Sequence, residues 1–215
     1  MTDRYPGYDV LTKRNSVSWN DQTRAVIDGR VATDPQFHQF CDEAEWSTLV
    51  AVCDQVVPQR ADQLRKVPIA ALIDQKLHAG KGNGYRDARL PEQDDAWRRG
   101  LAAIDAEAIL KTEKLFRDLD KEQQRLVLET IQRGDVASPA WHDIPAALFF
   151  KKRLLPDVVA AYYSHPFSWN EIGFGGPASP RGYVRMNFDR RDPWEAMEAA
   201  PGREEEARRE NQHVG

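Results

Sequence analysis

His165 and Glu171, six residues apart in the stretch SHPFSWNE, are the pair in this sequence most like an acid and a base. An imidazole near a carboxylate moves protons around neutral pH, where histidine titrates. The spacing sets no serine or cysteine nucleophile against them, so shaping a turn by hydrogen bonding is the plainer role for His165. His38, Cys41 and Cys53 have metal-ligand chemistry, but a closed zinc site needs a fourth ligand that the neighbouring sequence does not supply. Cys53 falls on an apolar helical stripe, where a thiol packs as a small hydrophobe. Asp42, Glu43 and Glu45 offer carboxylates, and a helix N-terminus attracts the same residues through its dipole alone. GKGNGY at 80–85 and GFGG at 173–176 are glycine-rich, yet neither lies between a strand and a helix, where a phosphate-cradling turn has its geometry. An iron–sulfur cluster wants four thiolates and a c-type haem wants C-x-x-C-H; neither pattern occurs. The expectation is a chain with no catalytic, cofactor or metal site of its own. The competing reading is a freestanding small enzyme using His165 and Glu171, or a metal-binding protein built on His38 and Cys41.

The elements that position these residues read as helices. Residues 1–19 form an extended N-terminal arm with Tyr5, Tyr8 and Trp19 and no helical period. Asn20 suits the N-cap of a first helix with Val26, Ile27 and Val31 as its stripe, weakened by Gly29. The acidic turn at 42–45 opens a second, in which Trp46, Leu49, Val50, Cys53 and Val57 recur at helical spacing up to Pro58. Pro68 fits the first position of a third, with Ile69, Leu72, Ile73 and Leu77 on one face and Gly80 as its left-handed stop. GKGNGYRDARL is a loop. Pro91 opens the longest helix, where Trp97, Leu101, Ile104, Ala108 and Leu115 repeat to about Arg117. Asp120 and Gln123 form a capping-box-like pair for a fifth, with Val127, Leu128 and Ile131 inward and Gly134 at its end. A sixth runs from near Ile144 to Tyr163. Pro156 is expected to kink or split it, because the ring removes the bond to Lys152.

Strand signals are almost absent, so the fold class is all-α: an irregular bundle of about six helices over 20–164 with extended arms. An irregular aromatic, Gly- and Pro-rich arm follows at 165–200, then a charged flexible tail at 201–215. The chain has 215 residues, and a chain of that size buries roughly 70% of its unfolded surface. Its 30 Lys+Arg against 34 Asp+Glu exert no global pull toward nucleic acid or anionic lipid. Two cysteines suit a reducing compartment. The start has no apolar core of a Sec or twin-arginine signal, and no window approaches the ~18 apolar residues of a membrane helix. The expected location is the cytoplasm, with neither nucleic acid nor membrane as a partner.

Between Tyr162 and Trp194 lie eight aromatic side chains, far more than a disordered linker holds. A structureless stretch of this length is uncommon in a compact domain unless it has a function of its own. One reading has it wrapping its own bundle. The other has it lying across a second protein, because Trp169, Tyr183 and Trp194 interleave with Arg181, Arg185, Arg190 and Arg191, the residue types that dominate interface hot spots. Tyr8 and Trp19 repeat the pattern at the N-terminus.

The run YYSHPFSWNEIGFGGPASPRGY, preceded by LFFKKRLLPDVVAA, resembles the C-terminal hallmark of the gluconate 2-dehydrogenase subunit 3 family. The matching pieces are Tyr162-Tyr163 with Ser164 and Pro166, Trp169 and Gly173, Gly175-Gly176-Pro177, and Pro180-Arg181-Gly182-Tyr183. The helix EWSTLVAVCDQVVPQ is similar to the family's early helix. The resemblance implies a noncatalytic small subunit whose large partner, of the glucose–methanol–choline type, binds FAD and oxidises a sugar, sugar acid or other polyol. The expected partner contacts are Tyr162, Tyr163, His165, Pro166, Trp169, Gly175, Gly176, Pro177, Arg181, Gly182, Tyr183, Arg185 and Trp194, with Tyr8 and Trp19 of the N-terminal arm. With no export signal readable, the expected role is stabilising, folding or completing that flavoprotein.

Overall fold

The structure, a computed structural model, describes residues 3–63, 65–82, 84, 86–182, 191–192 and 194–214. Its α-helices are α1 (Asp21–Val31), α2 (Glu43–Val56), α3 (Ile69–His78), α4 (Gln93–Thr112), α5 (Lys121–Arg133), α6 (Ala146–Phe149), α7 (Leu155–Tyr163), α8 (Pro166–Ile172) and α9 (Glu204–Asn211). Among the described residues no strand forms; Trp19 and Ser179 make an isolated parallel bridge. The fold is all-α, as the periodicities predict. None of these helices is long and apolar enough to cross a membrane. The chain divides into two compact units: a central one, Thr33–Tyr162, and a terminal one built from both ends, Met1–Ala32 with Tyr163–Gly215.

In the central unit the sequence signals act as local physics requires. Asp42 accepts the Glu45 N–H at 2.8 Å while Glu45 accepts the Asp42 N–H at 3.0 Å; Asp120 and Gln123 make the same reciprocal cap on α5. Each such cap contributes about 1 kcal/mol by satisfying donors that lack an intrahelical partner. The stripes then bury Leu49, Val52, Ile73, Trp97, Leu101, Ile104, Ile131 and Phe149. α4 lies against Phe149 so closely that a methyl group on Gly100 would sit 2.2 Å from its ring.

Two boundaries differ from expectation. α4 stops at Thr112, with Glu113 in the left-handed region at φ 62, rather than continuing to Arg117. Asp105 accepts the Phe116 N–H at 3.0 Å and holds the chain in a 3-10 turn, Phe116–Asp118, that buries the Phe116 ring. The sixth predicted helix is interrupted in type rather than continuous: a π-helical turn, Phe150–Leu154, lies between α6 and α7. The Leu155 N–H bonds back to the Phe150 carbonyl, and the wider turn carries the chain past Pro156, which has no N–H to donate.

Buried carboxylates tie the loops to these helices. Asp74, fully buried, accepts the N–H groups of Gln39 at 2.7 Å, Phe40 at 3.1 Å and Cys41 at 2.8 Å. Glu107 accepts those of Ala137 and Ser138. Asp157 receives the Trp97 indole at 2.9 Å and the Lys76 ammonium at 3.2 Å. Loop N–H groups facing a helix side cannot be satisfied by a helical ladder, so a carboxylate with four lone-pair sites takes them.

Removing such an acceptor leaves its buried and partly buried donors without that partner, at about 1–3 kcal/mol for a donor that is fully buried. Asp74→Ala is therefore expected to lower unfolding free energy by about 3 kcal/mol or more, with Asp74→Asn recovering part of the loss. A urea midpoint falling at unchanged slope checks it; equal midpoints for Ala and wild type would refute it.

Candidate functional site

The terminal unit contains most of the residues that composition and motif mark out, and it is built by pairing the two ends of the chain. Between Tyr8 and Trp19 the N-terminal segment is not fully extended: Asp9 caps a 3-10 run, Val10–Asn15. The C-terminal segment is also more regular than its prolines suggest. Pro166 opens α8 at the position where its missing N–H costs nothing, and Gly173 closes it in the left-handed region at φ 65. That Pro-to-Gly spacing is the signal by which α8 is readable. Further on, Glu204–Glu206 and Arg208–Arg209 match the dipole of α9 at its two ends, so the expected charged tail is a helix with Ala207 and Asn211 buried.

Tyr8, Val10, Trp19, Ile27, Trp169 and Val214 form one hydrophobic cluster. Each indole N–H in it reaches a backbone carbonyl: Trp169 donates to Tyr163 at 2.7 Å and Trp19 to Pro177 at 2.9 Å. Asn170 accepts the Val10 N–H at 2.8 Å, and Asn211 donates to the Pro6 carbonyl at 3.1 Å. The glycines of GFGG make room for rings rather than for a phosphate. A methyl group on Gly173 would lie 2.5 Å from the Tyr5 ring, and one on Gly176 would lie 3.1 Å from Trp169. Both glycines also have positive φ, which L side chains resist.

Lys13, which the sequence analysis passed over, is wholly buried in this unit. Its ammonium donates to the carbonyls of Gly175 and Trp194, and burial, reinforced by the Arg181 charge, pushes it down to about 8. Arg181 in turn lies 4.2 Å over the Trp194 ring and donates to Ser18 at 3.1 Å. A basic residue inside an aromatic, carbonyl-rich pocket gives no period to read.

The proposed acid–base pair is not assembled as one. His165 is buried at the N-cap of α8. Its Nδ1 accepts the Phe167 N–H, so its proton is on Nε2, which donates to the Arg30 carbonyl at 3.1 Å. Both ring nitrogens are thereby engaged in shaping the turn, while Glu171 is exposed. Burial pushes the imidazole below its ordinary 6.5, with the Arg30 charge adding to the effect and its carbonyl opposing it. His38 stacks on Trp46 at 4.5 Å. The Cys41 N–H bonds to Asp74, and burial pushes the thiols of Cys41 and Cys53 upward. Among the described residues no three of His, Cys, Asp and Glu converge to hold a metal.

The expected contact residues therefore separate by exposure. Tyr8, Trp19, His165, Pro166, Trp169 and Gly176 are buried in the terminal unit, and Tyr162 is buried in the central one. Gly175, Pro177, Arg181, Gly182 and Trp194 are half-buried, and Tyr163 is exposed. Tyr183 and Arg185 lie outside the described residues. A family model described as gluconate 2-dehydrogenase subunit 3 matches residues 43–176. No curated protein and no solved structure matches the chain.

Two outcomes follow from this packing. The unfolded state protonates its histidine near 6.5 while buried neutral His165 resists, so stability conferred by this site is full above about 6.5 and falls as pH drops below it. Thermal melts between pH 7.5 and 5.5 are expected to show that fall in wild type and a flatter profile in His165→Gln; identical slopes would contradict the assignment. Gly173→Ala is expected to cost about 1–3 kcal/mol through the Tyr5 clash and the left-handed backbone, read as a lower melting temperature.

Proposed function

The chain belongs to the gluconate 2-dehydrogenase subunit 3 family, and we propose from this that it is the noncatalytic small subunit of a heteromeric FAD-dependent sugar or polyol oxidoreductase. The large subunit, of the glucose–methanol–choline type, holds the flavin and performs the oxidation. The small subunit stabilises or matures it by covering apolar surface. The observation that carries this reading is the family match over residues 43–176, whose last part, from Tyr163 onward, contributes to the terminal unit's cluster.

The geometry supports a binding role in a specific way. A surface resting on a well-packed aromatic cluster loses little conformational freedom when a partner arrives, and association is then stronger for the same buried area. The half-buried and exposed members of the proposed set, Tyr163, Gly175, Pro177, Arg181, Gly182 and Trp194, are the ones available for contact. The buried members, Tyr8, Trp19, His165, Pro166, Trp169 and Gly176, act as their support, while Tyr162 is buried in the central unit. A ligand that binds the folded large subunit shifts its folding equilibrium by mass action, by about 2.7 kcal/mol at a hundredfold excess over Kd.

Co-expression with the flavoprotein, followed by gel filtration monitored at flavin wavelengths, tests the proposal. The two chains are expected to co-elute, and the flavoprotein made alone is expected to show less bound FAD or a lower melting temperature. Separate elution, together with a fully loaded and equally stable flavoprotein, would refute it. So would turnover of the sugar or polyol by the small chain alone.

A further inference from the structure

Around the turn that ends α8, apolar side chains stand in water. Ile172 is 45% exposed and Phe174 is 42% exposed, one on each side of Gly173, and Tyr163 at 49% lies where the Trp169 indole anchors. Phe174 is not a loose side chain waiting for a cavity. The Phe174 N–H donates to the Trp169 carbonyl at 2.9 Å, its own carbonyl accepts the Tyr8 hydroxyl at 3.4 Å, and its ring meets the Trp169 ring edge-on at 5.6 Å. Backbone and ring are held from below while the outer face of the ring stays wet.

We infer that Tyr163, Ile172 and Phe174 form the centre of the surface on which the flavoprotein large subunit docks, with Trp169 as the floor beneath it rather than a contact. The inference rests on the subunit reading above. An aromatic ring held in place while half-exposed needs no reordering to be buried, which is what an anchor of a protein interface offers. The complementary surface is an apolar depression rimmed by polar groups, as interface cores are. Ile172 and Phe174 were not among the contacts read from the sequence. All three residues fall inside the family-matched span, 43–176, whereas Arg181 and Trp194 lie beyond it. The partner is a different subunit rather than a second copy, because the family is one of subunits of a dehydrogenase assembly.

The test uses the full chain and its flavoprotein, with Kd measured by titration against flavin-loaded large subunit. Ile172→Ser, Phe174→Ser and the double variant are compared with Leu126→Ser, which alters an equally exposed leucine (49%) in the central unit. The double variant is expected to bind about 30-fold more weakly or worse, and the Leu126 variant within about twofold of wild type. Near-ultraviolet circular dichroism of the tryptophans confirms that the terminal unit stays folded; should the double variant lose that signal, the Ile172 single variant decides. Wild-type binding with an unchanged Kd for folded Ile172 and Phe174 variants would overturn this face while leaving the subunit role standing. Failure of the wild-type chain to bind would overturn both. Concentration-dependent self-association of the chain alone, abolished by the same substitutions, would assign the face to a second copy and refute the proposal.

Discussion

The terminal unit depends on one kind of contact: a buried indole N–H given to a main-chain carbonyl. Trp169 and Trp19 bring the largest apolar surfaces to that interior, and each would lose much of its gain if its single donor were left unpaired. Both use main-chain carbonyls, of Tyr163 and Pro177. A carbonyl outside a helical ladder has its lone pairs uncommitted, and helix ends and irregular stretches provide such carbonyls. The many prolines and glycines between residues 166 and 182 provide such stretches, and the close ring approaches at Gly173 and Gly176 follow from the same need for proximity.

The central unit meets the equivalent requirement with carboxylates. Asp74, Asp105, Glu107 and Asp157 point from helices into loops or neighbouring helices and accept their donors. The cost of burying these acids is visible at Asp105, where burial pushes the carboxyl above its ordinary range while the Thr48 hydroxyl and Phe116 N–H pull it back. Local order in both units thus comes less from regular hydrogen-bond ladders between segments than from individual side chains, each completing several backbone groups.

For function, the consequence is a division of labour among residues of one chemical type. Aromatic side chains that look equivalent in the sequence divide between interior support, as at Trp19 and Trp169, and surface, as at Phe174. Phe174 has no polar atom to satisfy, and edge contact with Trp169 leaves its other face outward. The proposed accessory role draws on both kinds, since a support that is already ordered makes a surface that needs little rearrangement to bind.

Much of this molecule is legible without coordinates. The stripes from Trp46 to Cys53 and from Trp97 to Ala108, and the caps at Asp42 and Asp120, are local patterns whose energetics involve residues within a turn or two, so the amino-acid order alone places those helices. The part of the Tyr162 motif that reaches Gly176 likewise lies within the span that matches the family. Local pattern does not say that Trp169 and Trp19 face inward, that Lys13 is buried, or that Pro156 is passed by a π turn. Nor does it reveal which of the aromatic residues remain wet. In the terminal unit such outcomes are set by groups some 160 residues apart in sequence, such as Val10 with Asn170 and Trp19 with Pro177, and a side chain's exposure is fixed when its distant partner arrives.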